Sequence, residues 1–220
     1  MTFNILFNKW QDLANEVEFI QVVPRDYEIS PLLTTEQLEI YQNKAKVILP
    51  PDYKAFCQLF GTGEFPYSKT YIRCPNIESL HTGMNSERIV ISHLYSRLKA
   101  ELKQSEKLEK GKTIKQFRLL KIQNLLESAY LVGYIWTYFT IIFDLSSYDE
   151  LDQNYDIFAL HPTDGCYFFG RDFYNFVNQF CMKTPVQKMF PELWSLLATT
   201  KDAAKIDTRQ NVFLQREPET

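Results

Sequence analysis

Tyr138-Phe139-Thr140-Ile141-Ile142-Phe143, Tyr155-Asp156-Ile157-Phe158-Ala159-Leu160 and Cys166-Tyr167-Phe168-Phe169 decide how this chain folds. All three runs are rich in the aromatic and β-branched residues that suit a pleated surface. The stretch from Tyr138 to Met182 therefore reads as strand, loop, strand, turn, strand, helix. Asp164-Gly165 between the last two runs is a tight-turn signal, because glycine reaches positive φ without a Cβ clash, and it predicts a hairpin. After Gly170, the residues Phe173, Phe176, Val177 and Phe180 fall at i, i+3, i+4 and i+7. That spacing puts four apolar side chains on one helical face, ready to cover the sheet.

Upstream, Thr2 can cap a first helix that carries Phe3, Leu6, Trp10, Leu13, Ala14 and Val17 at the helical period and ends near Glu18. Phe19-Ile20-Gln21-Val22-Val23 is a short extended candidate that Pro24 stops, since proline cannot donate to a sheet ladder. Thr34 and Gln37 satisfy the capping-box pattern for a second helix running to about Lys46, with Leu38, Tyr41 and Ala45 on its apolar side. Leu49-Pro50-Pro51-Asp52-Tyr53 starts a third: a proline in the first turn costs no hydrogen bond, and Asp52 sits at the positive end of the helix dipole. Tyr53, Phe56, Leu59 and Phe60 give that helix its apolar side, and Gly61 supplies the left-handed residue that ends it.

Thr70-Tyr71-Ile72-Arg73-Cys74 reads as a strand, and Pro75-Asn76 opens a short helix bearing Ile77 and Leu80 that Gly83 closes. From Ser86 to Glu127 the character changes. Leu94, Leu98 and Leu102 keep helical spacing while lysines and glutamates fill the positions between. This predicts an inserted charged helical hairpin broken near Gly111, with Ile114, Phe117, Leu120 and Leu125 on its second arm. Thr184-Pro185 opens a last helix over about residues 185–199, and residues 201–220 read as a frayed polar tail. The sum is a single α+β domain over residues 1–200, a mostly antiparallel sheet packed by helices, with its core in residues 34–83 and 128–182.

Composition narrows the classes. A chain of 220 residues, 45% hydrophobic and 23% charged, can bury a sizeable core without a disulfide or metal. Its 17 Phe and 13 Tyr make that core unusually aromatic. Cys57, Cys74, Cys166 and Cys181 show no CxxC spacing and follow no secretory segment, which predicts reduced thiols in a cytoplasmic protein. The longest mostly apolar stretch, Ala129 to Phe143, is shorter than the ~20 residues of a membrane-spanning helix. A net charge of −3 argues against general nucleic-acid affinity.

No phosphate-binding glycine motif and no serine-hydrolase elbow is present; Gly61-Thr62-Gly63 reads as a helix terminator. His81, His93 and His161 fall in no zinc-ligand spacing, so no metal and no cofactor is expected. A Cys166–His161 nucleophile pair is conceivable across the hairpin, but nothing marks the thiol as activated, and no catalytic residue is expected. The informative feature is acidic: Asp144, Asp149, Glu150, Asp152, Asp156, Asp164 and Asp172 surround one basic residue, Arg171. They lack the spacing of a calcium loop, and their readings are a solvated loop or a docking surface for a basic partner. The opposite charge lies in the insertion, at Arg97, Lys99, Lys103, Lys107, Lys110, Lys112, Lys115, Arg118 and Lys121; the interleaved glutamates weaken a phosphate-binding reading and leave a solvated helix face or, second, a dimer in which this basic hairpin meets an acidic loop.

Leu49-Pro50-Pro51-Asp52-Tyr53-Lys54-Ala55-Phe56, the Phe60-Gly61-Thr62-Gly63-Glu64 end, and the segment from Ile142-Phe143-Asp144-Leu145 to Phe180 together resemble the SUKH superfamily, which includes yeast cell-wall-synthesis regulators and many bacterial immunity proteins. Gly61-Thr62-Gly63 stands where that family carries an Asn-Gly-Gly-like end, and Gly170-Arg171-Asp172-Phe173 stands at the start of its final helix. The resemblance implies a non-catalytic α+β protein-binding module, most concretely an immunity-type protein that neutralises a cognate toxin. The alternatives are a scaffold or regulator of the same fold and, less favoured, a hydrolase using buried carboxylates. The expected partner is a protein such as a basic toxin domain, met by a monomer or weak dimer. The contact residues expected are Asp144, Asp149, Asp152 and Asp156, with Tyr148 and Tyr155 as aromatic anchors.

Overall fold

The computed structural model describes residues 3–16, 19–21, 32–77, 91–96, 98–100, 103, 114–136, 139–161, 165–185 and 188. In chain order its elements are α1 (Phe3–Glu16), β1 (Ile20–Gln21), α2 (Thr35–Ala45), α3 (Pro51–Leu59), β2 (Gly63–Phe65), β3 (Thr70–Ile72), α4 (Ile114–Glu127), β4 (Ala129–Ile135), β5 (Phe139–Asp149), β6 (Asn154–His161), β7 (Gly165–Phe168) and α5 (Phe173–Asn175). Residues 91–96 and 98–100 are also helical. The described strands form one sheet in the order β1-β2-β3-β4-β5-β6-β7, every neighbour antiparallel. The molecule is thus α+β.

Side chains alternate across a strand, and in β5 and β6 both sides are apolar. Phe139, Ile141, Phe143, Tyr155, Ile157 and Ala159 enter the larger core with residues of α1, α2, α3 and the helical turns after β7. Ile142, Phe158 and Leu160 point the other way and pack with Leu98 and with Ile122, Leu125 and Leu126 of α4. The second arm of the charged insertion is therefore a cover for the far face of the sheet. Of its expected apolar face, Leu125 is buried, Leu120 is exposed, and Ile122 and Leu126 take the inner positions. The side chains of Ile114 and Phe117 and the break near Gly111 lie outside the described residues.

The helices start where capping chemistry places them. Thr34 Oγ1 accepts from Gln37 N and Gln37 Oε1 accepts from Thr34 N, closing both halves of the capping box on α2. Pro51 opens α3, and the chain leaves the helix through Gly61 at φ 70°. Asp52 goes beyond a dipole contact: it is buried, and its Oδ1 accepts from Trp10 Nε1 at 2.9 Å and pairs with Lys9 Nζ at 2.8 Å, tying α1 to α3. Trp10 then lies edge-on to Phe56, Phe60 and Tyr174. Tyr53, two turns from the helix end, meets Phe143 and Phe173 edge-on and donates its hydroxyl to the Arg73 carbonyl.

The helix after β7 forms, but with a different winding. After α5 it continues as a π-helix over Phe176–Cys181. The wider turn brings Cys181 into the core beside Phe173, Phe176 and Val177, while Phe180 is only partly covered and stacks edge-on against Phe169. The strand-turn-strand hairpin forms with His161 opposite Gly165; its turn residues, like Thr2, the short helix at Leu80, and the last helix and tail apart from Lys188, lie outside the described residues.

Two strands lie outside the runs expected to be extended. β2 is the Gly63-Glu64-Phe65 segment that reads locally as the end of a helix, and β4 is Ala129–Ile135, where the hydropathy raises the membrane question first. No described helix is long and apolar enough to cross a membrane. β4 is interrupted by a bulge between Leu131 and Gly133. A Cβ on Gly133 would lie 2.1 Å from the Tyr71 carbonyl oxygen and 3.1 Å from Ile72 Cα, so β3 closes on β4 only because this side chain is absent. Gly133→Ala is expected to cost about 2–4 kcal/mol in chemical denaturation by forcing these backbones apart, and an unchanged midpoint would refute the close approach.

Candidate functional site

The acidic residues lie on and around the β5–β6 hairpin, which outruns its neighbours. β4 pairs with β5 no further than Asp144, and β7 pairs with β6 no further than Phe158. Past Asp144 opposite Asp156, the next strand pair is Asp149 opposite Asn154, so Leu145 to Tyr148 on β5 face Tyr155 alone. Such a bulge bends and twists a hairpin and leaves carbonyls turned out of the ladder. Glu150-Leu151-Asp152-Gln153 then form the tip, with Gln153 at φ 54° and donating its N–H to the Asp149 carbonyl.

Arg171 closes the bulge. Its Nη2 donates to the carbonyls of Ser147 at 3.0 Å and Asn154 at 3.2 Å, its Nη1 to Asp156 Oδ1 at 2.9 Å, and its Nε to Asp152 Oδ2 at 3.2 Å. A planar guanidinium with its donors in a fixed fork can meet two strands and a loop at once, which an ammonium cannot. The chain reaches this position through Gly170 at φ 98°, and the next residue, Asp172, caps α5 by accepting from Asn175 N at 2.8 Å. Gly170-Arg171-Asp172 is thus turn, clasp and cap in succession.

The sequence-predicted contact residues separate accordingly. Asp144 is held at the base of the hairpin, accepting from Ser128 Oγ, Ser146 N and Ser146 Oγ. Asp156 pairs with Arg171 and its N–H donates nothing outward, being bonded to Ser147 Oγ at 2.7 Å. Tyr155 corrects the expectation of an exposed anchor: it is buried, stacks on Phe143, and donates its hydroxyl to the Ile48 carbonyl at 2.9 Å. Burial first, then neighbouring Tyr148, pushes its pKa up to about 12. Tyr148 lies against Tyr155 and is partly buried on the larger core. Asp149 and Asp152 do reach the tip. Asp149 Oδ1 accepts from Leu151 N at 2.8 Å, and Asp152 is taken up by Arg171 and by Asn154 N.

The residue missed by reading charge alone is Leu151, which is 95% exposed at the tip between Glu150 and Asp152. The signal for it was one leucine inside Asp149-Glu150-Leu151-Asp152-Gln153, where no apolar period can bury it. Elsewhere, Cys166 pairs across the hairpin with Leu160 and packs on the far face, while the His161 ring rests on Phe139 of the near face. The two side chains therefore point away from each other. No group of three or more His, Cys, Asp or Glu among the described residues could hold a metal ion. The four cysteines are free thiols; burial pushes Cys181 far up and Cys57 well up, which keeps both protonated. Of the basic residues of the insertion, Arg97, Lys107, Lys110 and Lys112 lie outside the described residues.

Comparison of the chain with family models, with curated proteins and with solved structures returned no match.

Replacing Arg171 by Gln or by Lys is expected to cost about 1–2 kcal/mol, allowing for solvent screening of the partly exposed pairs, with faster amide exchange confined to residues near 146–155. Full protection in the Lys variant would show that charge alone suffices. The Arg171 hydrogen bond to Asp152 also lowers that carboxyl's pKa. A folded-state pKa below the unfolded value near ~3.9 adds stability above that pH and loses it as pH falls through the folded value. The acid limb of the stability curve is therefore expected to flatten in Asp152→Asn.

Proposed function

We propose that this chain is a non-catalytic protein-binding module whose recognition element is the tip of the β5–β6 hairpin, and that it acts as an immunity-type protein against a basic toxin domain. The observation that carries this reading is Leu151, 95% exposed on a hairpin clamped by Arg171 and flanked by Asp149 and Glu150. A single exposed leucine is ordinary on a protein surface; what supports docking is its place at the end of a braced, projecting hairpin, where an apolar anchor ringed by carboxylates fits a socket with a basic rim. The clasp supports the same reading, because a tip held in one geometry loses less entropy on docking than a free loop. The order of Leu49-Pro50-Pro51-Asp52-Tyr53, Phe60-Gly61-Thr62-Gly63 and Gly170-Arg171-Asp172-Phe173, in which the SUKH resemblance lies, adds the toxin class.

The recognition residues in this reading are Leu151, Asp149 and Glu150, with Asp152 contributing to the field while held by Arg171. Affinity capture from the native host with the wild-type chain and with Leu151→Asp as paired baits tests it. A basic protein is expected to be retained by the wild type and lost by the variant. Purified, that partner should bind Glu150→Lys about tenfold more weakly, with a shallower salt dependence, while the variant's thermal stability stays unchanged. Expression of the partner alone should arrest growth, and co-expression of the wild-type chain should restore it. A partner that binds without arresting growth assigns the protein to the regulator class instead, and binding indifferent to Leu151 removes the tip from the site.

A further inference from the structure

A second surface lies beside the hairpin and has the opposite character. Gln42, Asn43, Lys46, Val47, Ile48 and Lys54 line a shallow depression of about 360 Å³ where the end of α2 meets α3. Ile48 is 52% exposed on it, Lys46 is exposed, and Lys54 is half-buried. The Tyr155 hydroxyl bonded to the Ile48 carbonyl joins this surface to the base of the hairpin, so tip and depression share one side of the molecule. Leu151 is four positions from Tyr155 across the turn, so the two lie at most about 14 Å apart along the chain. No ion pair to Asp149 or Glu150 occurs among the described residues.

An acidic tip with an apolar centre and a basic depression with an apolar floor are complementary, and a two-fold pairing requires each copy to offer both halves of one contact on the same side. We infer that two copies of this chain associate about a two-fold axis, the β5–β6 tip of each seated in the Lys46–Ile48–Lys54 depression of the other. Leu151 then covers Ile48, and Asp149 and Glu150 face Lys46 and Lys54. The state of Lys54 agrees with such a contact: burial lowers its pKa, and Glu39 alone offsets part of that loss. A carboxylate from the second copy supplies further compensation. The contact is small, so the dimer is a weak one in exchange with monomer. This pairing goes beyond the partner reading and does not rest on it, since it is measured on the chain alone. Where both hold, a partner must compete with the second copy for the same tip.

Sedimentation velocity over a concentration series of the full chain tests the inference. The wild type is expected to pass from monomer to dimer as concentration rises, and to revert with added salt. Lys46→Glu and Glu150→Lys, both at exposed positions, are each expected to raise the dissociation constant about tenfold, and the two together in one chain to recover most of that loss. Leu151→Asp should be monomeric, with circular dichroism melts confirming that every variant is folded. A wild type that stays monomeric at all concentrations, a double variant no better than its singles, or an open-ended series of larger species would each overturn the pairing.

Discussion

A strand that is apolar on both of its faces has to be covered twice, and that constraint organises this molecule. In β5, Phe139, Ile141 and Phe143 alternate with Thr140 and Ile142, all buried, and β6 repeats the pattern with Tyr155, Ile157 and Ala159 against Phe158 and Leu160. Fully burying one such side chain is worth roughly 1.5–3 kcal/mol, so leaving either face wet would forfeit a large share of a domain's net stability. The near face takes α1, α2, α3 and α5; the far face takes α4 and the helical residues around Leu98. What differs between the layers is chemistry. The near layer is built from rings, with Trp10, Tyr53, Phe56, Phe143 and Phe173 in edge-on contacts, and the far layer is aliphatic with a charged exterior.

The same two strands continue past the sheet as the hairpin tip, and there the problem reverses. Beyond Asp144 and Asp156 there is, among the described residues, no neighbouring strand to hold the pair, and past Tyr148 and Tyr155, which still rest on the larger core, no layer to bury it. Arg171 substitutes for both by satisfying two carbonyls and two carboxylates with a single side chain. Its charge also decides which acids face outward as free charge. Asp152 and Asp156 are matched internally, which leaves Asp149 and Glu150 without an ion pair among the described residues around Leu151.

Local signals placed most elements: the capping box at Thr34, the proline start of α3, and the three apolar runs of β5, β6 and β7 are each set by neighbours in sequence. β2 and β4 escaped because their identity depends on partners far along the chain. Gly63 reads as part of a helix terminator but pairs with Ile72, and Gly133 has meaning only against Tyr71. The acidic character of the hairpin was legible, as was the isolation of Arg171, but the pairing between them was not. Burial of Tyr155 was equally hidden, since the alternation of β6 marks it as inward only once the register with β5 is known. The π-winding after Asn175 carries no sequence mark that separates it from an α-turn.

Two pairs of neighbouring strands are far apart along the chain: β1 and β2, with residues 22–62 between them, and, at the seam inside the sheet, β3 and β4, where residues 73–128 intervene. The seam itself is fixed by Thr70, Tyr71 and Ile72 against Ile135, Tyr134 and Gly133. Chain entropy makes the intervening length nearly inconsequential, because doubling a loop costs only about 0.6 kcal/mol once its ends are held. Growth or shrinkage there leaves the register of all the other strands alone. The segment that supplies the outer layer is in this sense an adjustable spandrel on a fixed frame, free to change size as long as something apolar still lies over Ile142 and Phe158.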